Sequence, residues 1–212
     1  MAHIVITSGP TRQYLDPVRY LTNSSSGKMG ACLATSALRL GHQVTVISGP
    51  VQVDYPSAAT VIDVISTQEM LEATQSAFAT ADGLIGAAAP CDYMPIEIAS
   101  QKLSKTGQGL QLSLRETPDI VATLGALKRI DQWVVGFALE TEDVRFRAIV
   151  KMAKKRCDMI VSNSAEAMNS PDNAVEIIKR DGEVVEQVAG PKQLVADRIL
   201  HQIQKHLLDS NP

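Results

Sequence analysis

The chain has no apolar run of 18 residues and no leader-like stretch at its start. Neither a membrane-spanning helix nor an export signal is therefore expected, and the reading is a soluble cytoplasmic protein with no membrane partner. Its three cysteines, Cys32, Cys91 and Cys157, stand apart without CxxC spacing, which argues against a zinc or disulfide framework and for reduced thiols. An excess of either charge is missing too: 20 basic residues face 23 acidic ones, for a net charge of −3 with the signs interspersed. No nucleic-acid partner is indicated. GxGxxG, GxxxxGK[ST] and GxSxG are all absent, which removes the dinucleotide fingerprint, the P-loop and the common hydrolase elbow.

What is present is an alternation. With 212 residues, 45% of them apolar, the chain can build one large α/β domain over 1–212. Strands are expected at His3–Thr7, Gln43–Ser48, Thr60–Ser66, Gly83–Ala89, Trp133–Leu139 and Asp158–Ser162, with an alternating stretch at Leu110–Leu114. Helical spacing runs through Lys28–Leu40, Thr67–Asp82, Pro118–Arg129 and Asp143–Arg156. Continuous apolar runs separated by helices imply a Rossmann-like, mostly parallel sheet covered on both faces. Near the end, Ala174–Lys179 and Val184–Ala189 flank Asp181-Gly182, a hairpin signal. A last amphipathic helix follows, with Leu194, Val195, Ile199, Ile203 and Leu207 on one face. The polar stretch 94–109 reads as the one mobile segment, with Gly107 and Gly109 as hinges.

The organising stretch is residues 8–30, a long loop between the first strand and the first helix. It carries Arg12, Asp16, Arg19 and Asn23, then Ser24, Ser25, Ser26 and Gly27 at the helix start. Small hydroxyl residues at a helix N-terminus suit an anion such as phosphate, and they equally suit an ordinary serine N-cap. The two arginines have no evident helical carboxylate partner, which favours a convergent polar cluster. In a parallel sheet ligands bind at the carboxyl ends of the strands. Those ends bring together Arg19, Asn23, Asp92 and the Glu140–Thr141 pair. The small residues Gly86, Ala87, Ala88 and Ala89 admit a ligand or a second subunit, or simply close helix packing. Lys102, Lys105, Lys151 and Lys155 suit a triphosphate, or are solvated charges. His201 and His206 lie at i,i+5 with no third ligand, so a metal site is not indicated. The residues alone reach as far as a phosphate- or nucleotide-handling α/β protein.

At these residues the chain resembles the phosphopantothenate–cysteine ligase family, the synthetase half of a bifunctional protein of coenzyme A biosynthesis. The matching stretches are GPTR at 9–12, DPVRYLTN at 16–23, SSGKMG at 25–30, AAA followed by DY at 87–93, TPDIV at 117–121, VGFALET at 135–141 and CDMIVSN at 157–163. Lys102, Lys105, Lys151 and Lys155 match as well. The resemblance implies ligation of 4′-phosphopantothenate to L-cysteine with CTP and Mg2+, through an acyl-cytidylate, releasing pyrophosphate and CMP. It implies Asn23, Lys102 and Arg19 as catalytic groups, and a nucleotide site of Asp92, Lys102, Pro118, Asp119, Ile120, Val121, Phe137, Lys151 and Lys155. It also implies a homodimer with Arg19, Asn23, Ala88 and Ala89 at a shared substrate site, and no flavin in this chain. The flavin-dependent decarboxylase half usually fused ahead of this domain is then a separate protein or has been cut away. Gln13-Tyr14 stands where the family usually has Glu-Pro, Pro90-Cys91 replaces a small apolar pair, and Ser104 takes an often basic place. The alternatives are an NAD(P)-dependent oxidoreductase, which lacks its glycine fingerprint and its Tyr-x-x-x-Lys pair here, and a non-catalytic nucleotide-binding subunit.

Overall fold

A computed structural model of the protein describes residues 1–140, 142–164 and 172–209. Six strands form its parallel heart: β1 (His3–Ser8), β4 (Gln43–Ser48), β5 (Thr60–Asp63), β6 (Gly83–Gly86), β9 (Trp133–Glu140) and β10 (Met159–Ser164). Two antiparallel strands, β11 (Asp172–Lys179) and β12 (Val184–Pro191), complete the order β12-β11-β10-β9-β6-β1-β4-β5. The expected hairpin extends the sheet, with Ile160 opposite Ile178 in antiparallel register. Gly182 turns it at a φ of 85°, and Asp181 Oδ1 accepts the Glu183 amide at 3.0 Å.

Both faces of the sheet are covered, which is why its strands read as unbroken apolar runs. On one face Ile4, Ile6 and Val46 pack under α1 (Lys28–Arg39) and α5 (Lys192–Ile203), against Leu33, Ala37, Val195 and Ile199. On the other, Val5, Ile47, Leu84 and Ile160 pack under α2 (Thr67–Phe78), α3 (Ile120–Leu127) and α4 (Val144–Lys154), against Met70, Ile120, Leu124 and Met152. Gly83 and Gly86 serve this packing. A Cβ on Gly83 would stand 2.0 Å from the Trp133 ring, and one on Gly86 2.5 Å from Val121.

The boundaries depart from expectation where local chemistry competes. The third strand stops at Asp63 because Ser66 caps α2, accepting the Glu69 amide at 3.1 Å while Glu69 reaches back to the Ser66 amide. That capping box, Ser-Thr-Gln-Glu, was legible at 66–69. The expected serine cap on α1 is absent. Gly27 holds the position at a φ of 73°, with no side-chain cap. The long loop after β1 folds into a ribbon of β2 (Arg12–Tyr14) and β3 (Tyr20–Thr22), fixed by Arg12 over the Tyr20 ring and an edge-on Tyr14–Tyr20 pair. A second ribbon pairs β7 (Tyr93–Pro95) with β8 (Leu114–Glu116), later in the chain than the alternation at Leu110–Leu114 suggested. Leu194 is 45% exposed and so leaves the buried face of α5, which Ala196 and Leu200 complete. The helix then widens to π geometry over Gln204–Leu208.

Candidate active site

From β1 the chain steps outward to β4 and β5, then returns to β6 on the other side of β1 and continues to β9 and β10. Between β1 and β6 the winding reverses, and there the strand ends splay into a crevice. A cleft of about 410 Å³ opens beside it. Its floor is Gly86 and Ala88, and one wall is Cys91, Asp92 and Tyr93. Pro118, Asp119, Ile120 and Val121 at the start of α3 form the other wall, with Phe137 and Lys155 closing the end. All the expected nucleotide residues line this cleft except Lys102 and Lys151.

The walls are held by a buried hydroxyl network that sequence reading missed. The Thr11 and Thr67 hydroxyls lie 2.7 Å apart, and Gln13 donates its amide to Thr67 at 2.8 Å. The Cys91 amide donates to Thr11 at 2.8 Å, while Thr67 and Thr117 both donate to the Cys91 carbonyl, at 3.3 and 2.6 Å. The Thr117 amide then donates to the Asp92 carbonyl at 2.9 Å. One wall is thereby tied to the other and both to β2. The only advance signal was Gln13 in place of glutamate, since an amide can donate to a hydroxyl and an ionised carboxylate cannot.

Asp119 caps α3 by accepting the Ala122 amide at 3.0 Å, and its second oxygen lies 3.1 Å from Lys155 Nζ. A cation and the positive end of α3 therefore meet at the cleft mouth, a setting that favours an anion. Asn23 leaves β3 and donates its side-chain amide to the Pro90 carbonyl at 2.8 Å, which sets it at the head of the Cys91–Tyr93 wall. Ala88 and Ala89 are held at the strand end, where the Ala89 amide donates to the Gly9 carbonyl at 2.9 Å.

Arg19 does have a carboxylate partner, and it lies in the same loop. The Asp16 side chain is fully buried, with Oδ1 accepting the Val18 and Arg19 amides at 2.7 and 2.8 Å. Its Oδ2 accepts Arg19 Nη1 at 2.7 Å and the Leu103 amide at 3.1 Å. Arg19 Nη1 also donates to the Leu103 carbonyl at 2.9 Å. Burial alone would raise the Asp16 pKa; the amides of Val18, Leu103 and Arg19, with the Arg19 guanidinium, outweigh it and bring the pKa down to about 2. The Lys102 segment is thus pinned beside Arg19, and pinned again where the Ala99 amide meets the Leu15 carbonyl at 3.0 Å.

The expected serine cradle does not open into the cleft. Ser25 and Ser26, with Arg12, Lys28 and Gln52, line a separate polar recess beyond the first ribbon. Ser24 is exposed, and Gly27 is buried against Ser8, whose hydroxyl donates to its carbonyl at 3.2 Å. Glu140 ends β9 opposite Ser164, and Thr141 lies outside the described residues. Lys151 sits on α4 and does not line the cleft. Among the described residues no cluster of three His, Cys, Asp or Glu could hold a metal, and no helix is long and apolar enough to cross a membrane. All three cysteines are unbonded, and burial pushes the Cys157 thiol up to about 12.

Fold and cleft together define a Rossmann-like α/β protein with a cleft beside its switch point. Comparison with known proteins makes this particular. The family model described as the DNA/pantothenate metabolism flavoprotein C-terminal domain matches residues 1–207, and the chain belongs to that family. It is 43% identical over 208 residues to the coenzyme A biosynthesis bifunctional protein CoaBC of Vibrio parahaemolyticus, covering 95% of this chain and 52% of that protein. The chain thus spans about half the length of the curated relatives it matches. Among solved structures it resembles the C-terminal domain of a CoaBC protein, with a TM-score of 0.85 at 38% identity, covering 99% of this chain and 97% of that one. A Cab2 mutant solved in complex with phosphopantothenate-cysteine shares the fold, with a TM-score of 0.79 at 14% identity over 96% of this chain and 87% of that one.

Proposed function

We propose that the chain joins 4′-phosphopantothenate to L-cysteine at the expense of CTP. The observation that carries the proposal is the placing of Asp92, Pro118–Val121, Phe137 and Lys155 around one cleft, with Asn23 at its head, in a chain of this family. A carboxylate does not acylate an amine until one oxygen becomes part of a good leaving group. In the first step the phosphopantothenate carboxylate attacks the α-phosphorus of CTP and pyrophosphate leaves. In the second the cysteine amine attacks the acyl carbon, a proton departs from nitrogen and CMP leaves.

In this reading Lys155 and the amide end of α3 receive phosphate charge, and Lys102 approaches the α-phosphate from its pinned segment. Lys151, one turn before Lys155 in the last turn of α4, is a further phosphate ligand. Asn23 orients the carboxylate and later donates to the acyl carbonyl as it gains charge, with Arg19 beside it. Ser25, Ser26 and Lys28 suit the distal phosphate of the pantothenate arm, with Ser24 and Gly27 alongside. A magnesium ion bound with the triphosphate would neutralise part of its charge, with Asp92, Glu116 and Asp119 as the residues that would hold it. The donor set fits an ion that arrives with the nucleotide, since such an ion needs one or two carboxylates rather than a full protein cage, and Asp92, Glu116 and Asp119 line the cleft.

Exposed Val18, Tyr93, Ile96, Ile98, Leu110, Leu112 and Leu114 support a homodimer that completes the substrate site near Ala88 and Ala89. The flavin-dependent decarboxylase half, fused or separate, is the neighbouring enzyme, and a cytoplasmic setting follows. The test is pyrophosphate release with CTP or ATP, with and without phosphopantothenate. Release with CTP well above ATP, and dependent on phosphopantothenate, is expected; equal kcat/KM for the two nucleotides refutes the base assignment.

A further inference from the structure

We infer that Asp16 is a positioning residue: its buried carboxylate clamps the segment carrying Lys102 onto the turn carrying Arg19. The inference rests on the ligase reading above for its chemistry, and on geometry alone for the clamp. Four donors converge on this one side chain, and they come from two stretches about 85 residues apart. Three belong to residues 18–19; the fourth is the main-chain amide of Leu103, the residue directly after Lys102. Arg19 closes the ring by donating to the carbonyl of that same Leu103. A carboxylate, acceptor at both oxygens, can satisfy this set; an amide of the same shape would turn one donor group against the donors around it.

The consequence lies in what is held and what is left loose. Leu103 is partly buried, whereas residues 104–116 are exposed throughout. The Lys102 backbone is therefore fixed at its root while its side chain remains outside the protein surface. Asp16 touches neither cleft, so it acts through Arg19 and Lys102 and not on the reacting atoms. Bonds to a charged group are among the stronger ones in a protein, which suits a clamp that must survive each opening of the loop beyond it.

The test uses the full chain and two variants that cut the clamp from opposite sides. Asp16→Asn removes the second acceptor; Leu103→Pro removes the donating amide and leaves Asp16 intact. Trypsin cleavage after Lys105, with no ligand present, should be at least tenfold faster in both variants than in the unaltered chain. The kcat for pyrophosphate release should fall about 10- to 100-fold, the worth of a charge-assisted bond, with KM for CTP changed less than threefold. Asp16→Asn should slow the Lys102→Gln enzyme by clearly less than it slows the unaltered one, because one of the two groups it positions is already gone. Losses that multiply, or cleavage at the unaltered rate in either variant, overturn the inference. If Asp16→Asn does not fold, Leu103→Pro with Lys102→Gln carries the same cycle. Should the unaltered chain release no pyrophosphate with any nucleotide, the ligase reading fails, while the trypsin comparison still decides the clamp.

Discussion

Replacing Thr67 by valine keeps the shape of a fully buried side chain and removes one hydroxyl. That hydroxyl accepts from Gln13, bonds to Thr11 and donates to the Cys91 carbonyl. The Cys91 carbonyl keeps its bond from Thr117, and Thr11 still accepts the Cys91 amide. Two donors are orphaned in the interior, the Gln13 amide and the Thr11 hydroxyl. An unpaired buried polar group costs about 1–3 kcal/mol, so the pair amounts to roughly 2–6 kcal/mol. At about 2–4 °C per kcal/mol for a domain of this size, Tm should fall by about 4–24 °C. Because the network joins the Cys91 wall to Thr117, nucleotide binding should weaken as well. Calorimetric melting of Thr67→Val beside Thr67→Ser checks the first point, and CTP titration the second. The mechanism makes a sharper demand. Adding Gln13→Leu to Thr67→Val removes one orphan, and should recover part of the lost Tm. If Thr67→Val melts within a degree of the unaltered chain, or Gln13→Leu makes the double variant worse, the account of the network is wrong.

Asn23→Asp sets a carboxylate oxygen against the Pro90 carbonyl and removes the donor meant for the acyl carbonyl. Loss of such a donor costs about 100- to 1000-fold in rate, so a quench and mass measurement should show acyl-cytidylate formed but hardly consumed by cysteine; normal turnover with cysteine refutes the role. Cleavage between Ile96 and Leu110 should slow when CTP and phosphopantothenate are both present, as for a lid that closes on ligand; equal rates refute it. The Cys157 pKa lies above its ordinary 9.0, at about 12, so its contribution to stability is complete below pH 9 and is lost as pH rises toward 12. Alkylation mapped by mass spectrometry should leave Cys157 unmodified in the native protein at pH 8. Asp16 has the opposite sign: held at about 2 from 3.8, it stabilises above pH 4 and that contribution is lost as pH falls toward 2, which acid unfolding of Asp16→Asn against the unaltered chain should display as a flatter curve.

The parallel sheet was legible because strands buried on both faces read as near-continuous apolar runs, as Val44–Ile47 and Trp133–Leu139 do. Asp92 was legible from its place at a strand's carboxyl end, whereas Asp119 and its neighbours came only from the family resemblance. What escaped was chemistry between distant residues. Thr11, Thr67 and Thr117 look like ordinary threonines until the fold stacks them around Cys91. Asp16 reads as one member of a polar loop until the Leu103 amide, from 87 residues further along the chain, meets it. The serines do not cap α1 for a simpler reason: Gly27, next in line, tolerates the left-handed turn that the helix entry requires.

The reversal of winding between β1 and β6 also governs how the chain assembles. Ile4 finds Val44 early, a local partner by the standard of this sheet, but its other neighbour is Gly83. Within the sheet, everything from β6 onward joins the first half through that one strand pairing, a single seam. Closing it carries the entropy of a loop of about 79 residues, so the pairing of β1 with β6 should lag behind the formation of either flank. The cleft is lined wholly by residues 86–155, on the β6 side of the seam, yet Asn23 donates across the seam to the Pro90 carbonyl and Thr11 accepts the Cys91 amide. A molecule held by both the cleft and Asn23 spans the last joint to close and, by mass action, opposes its opening.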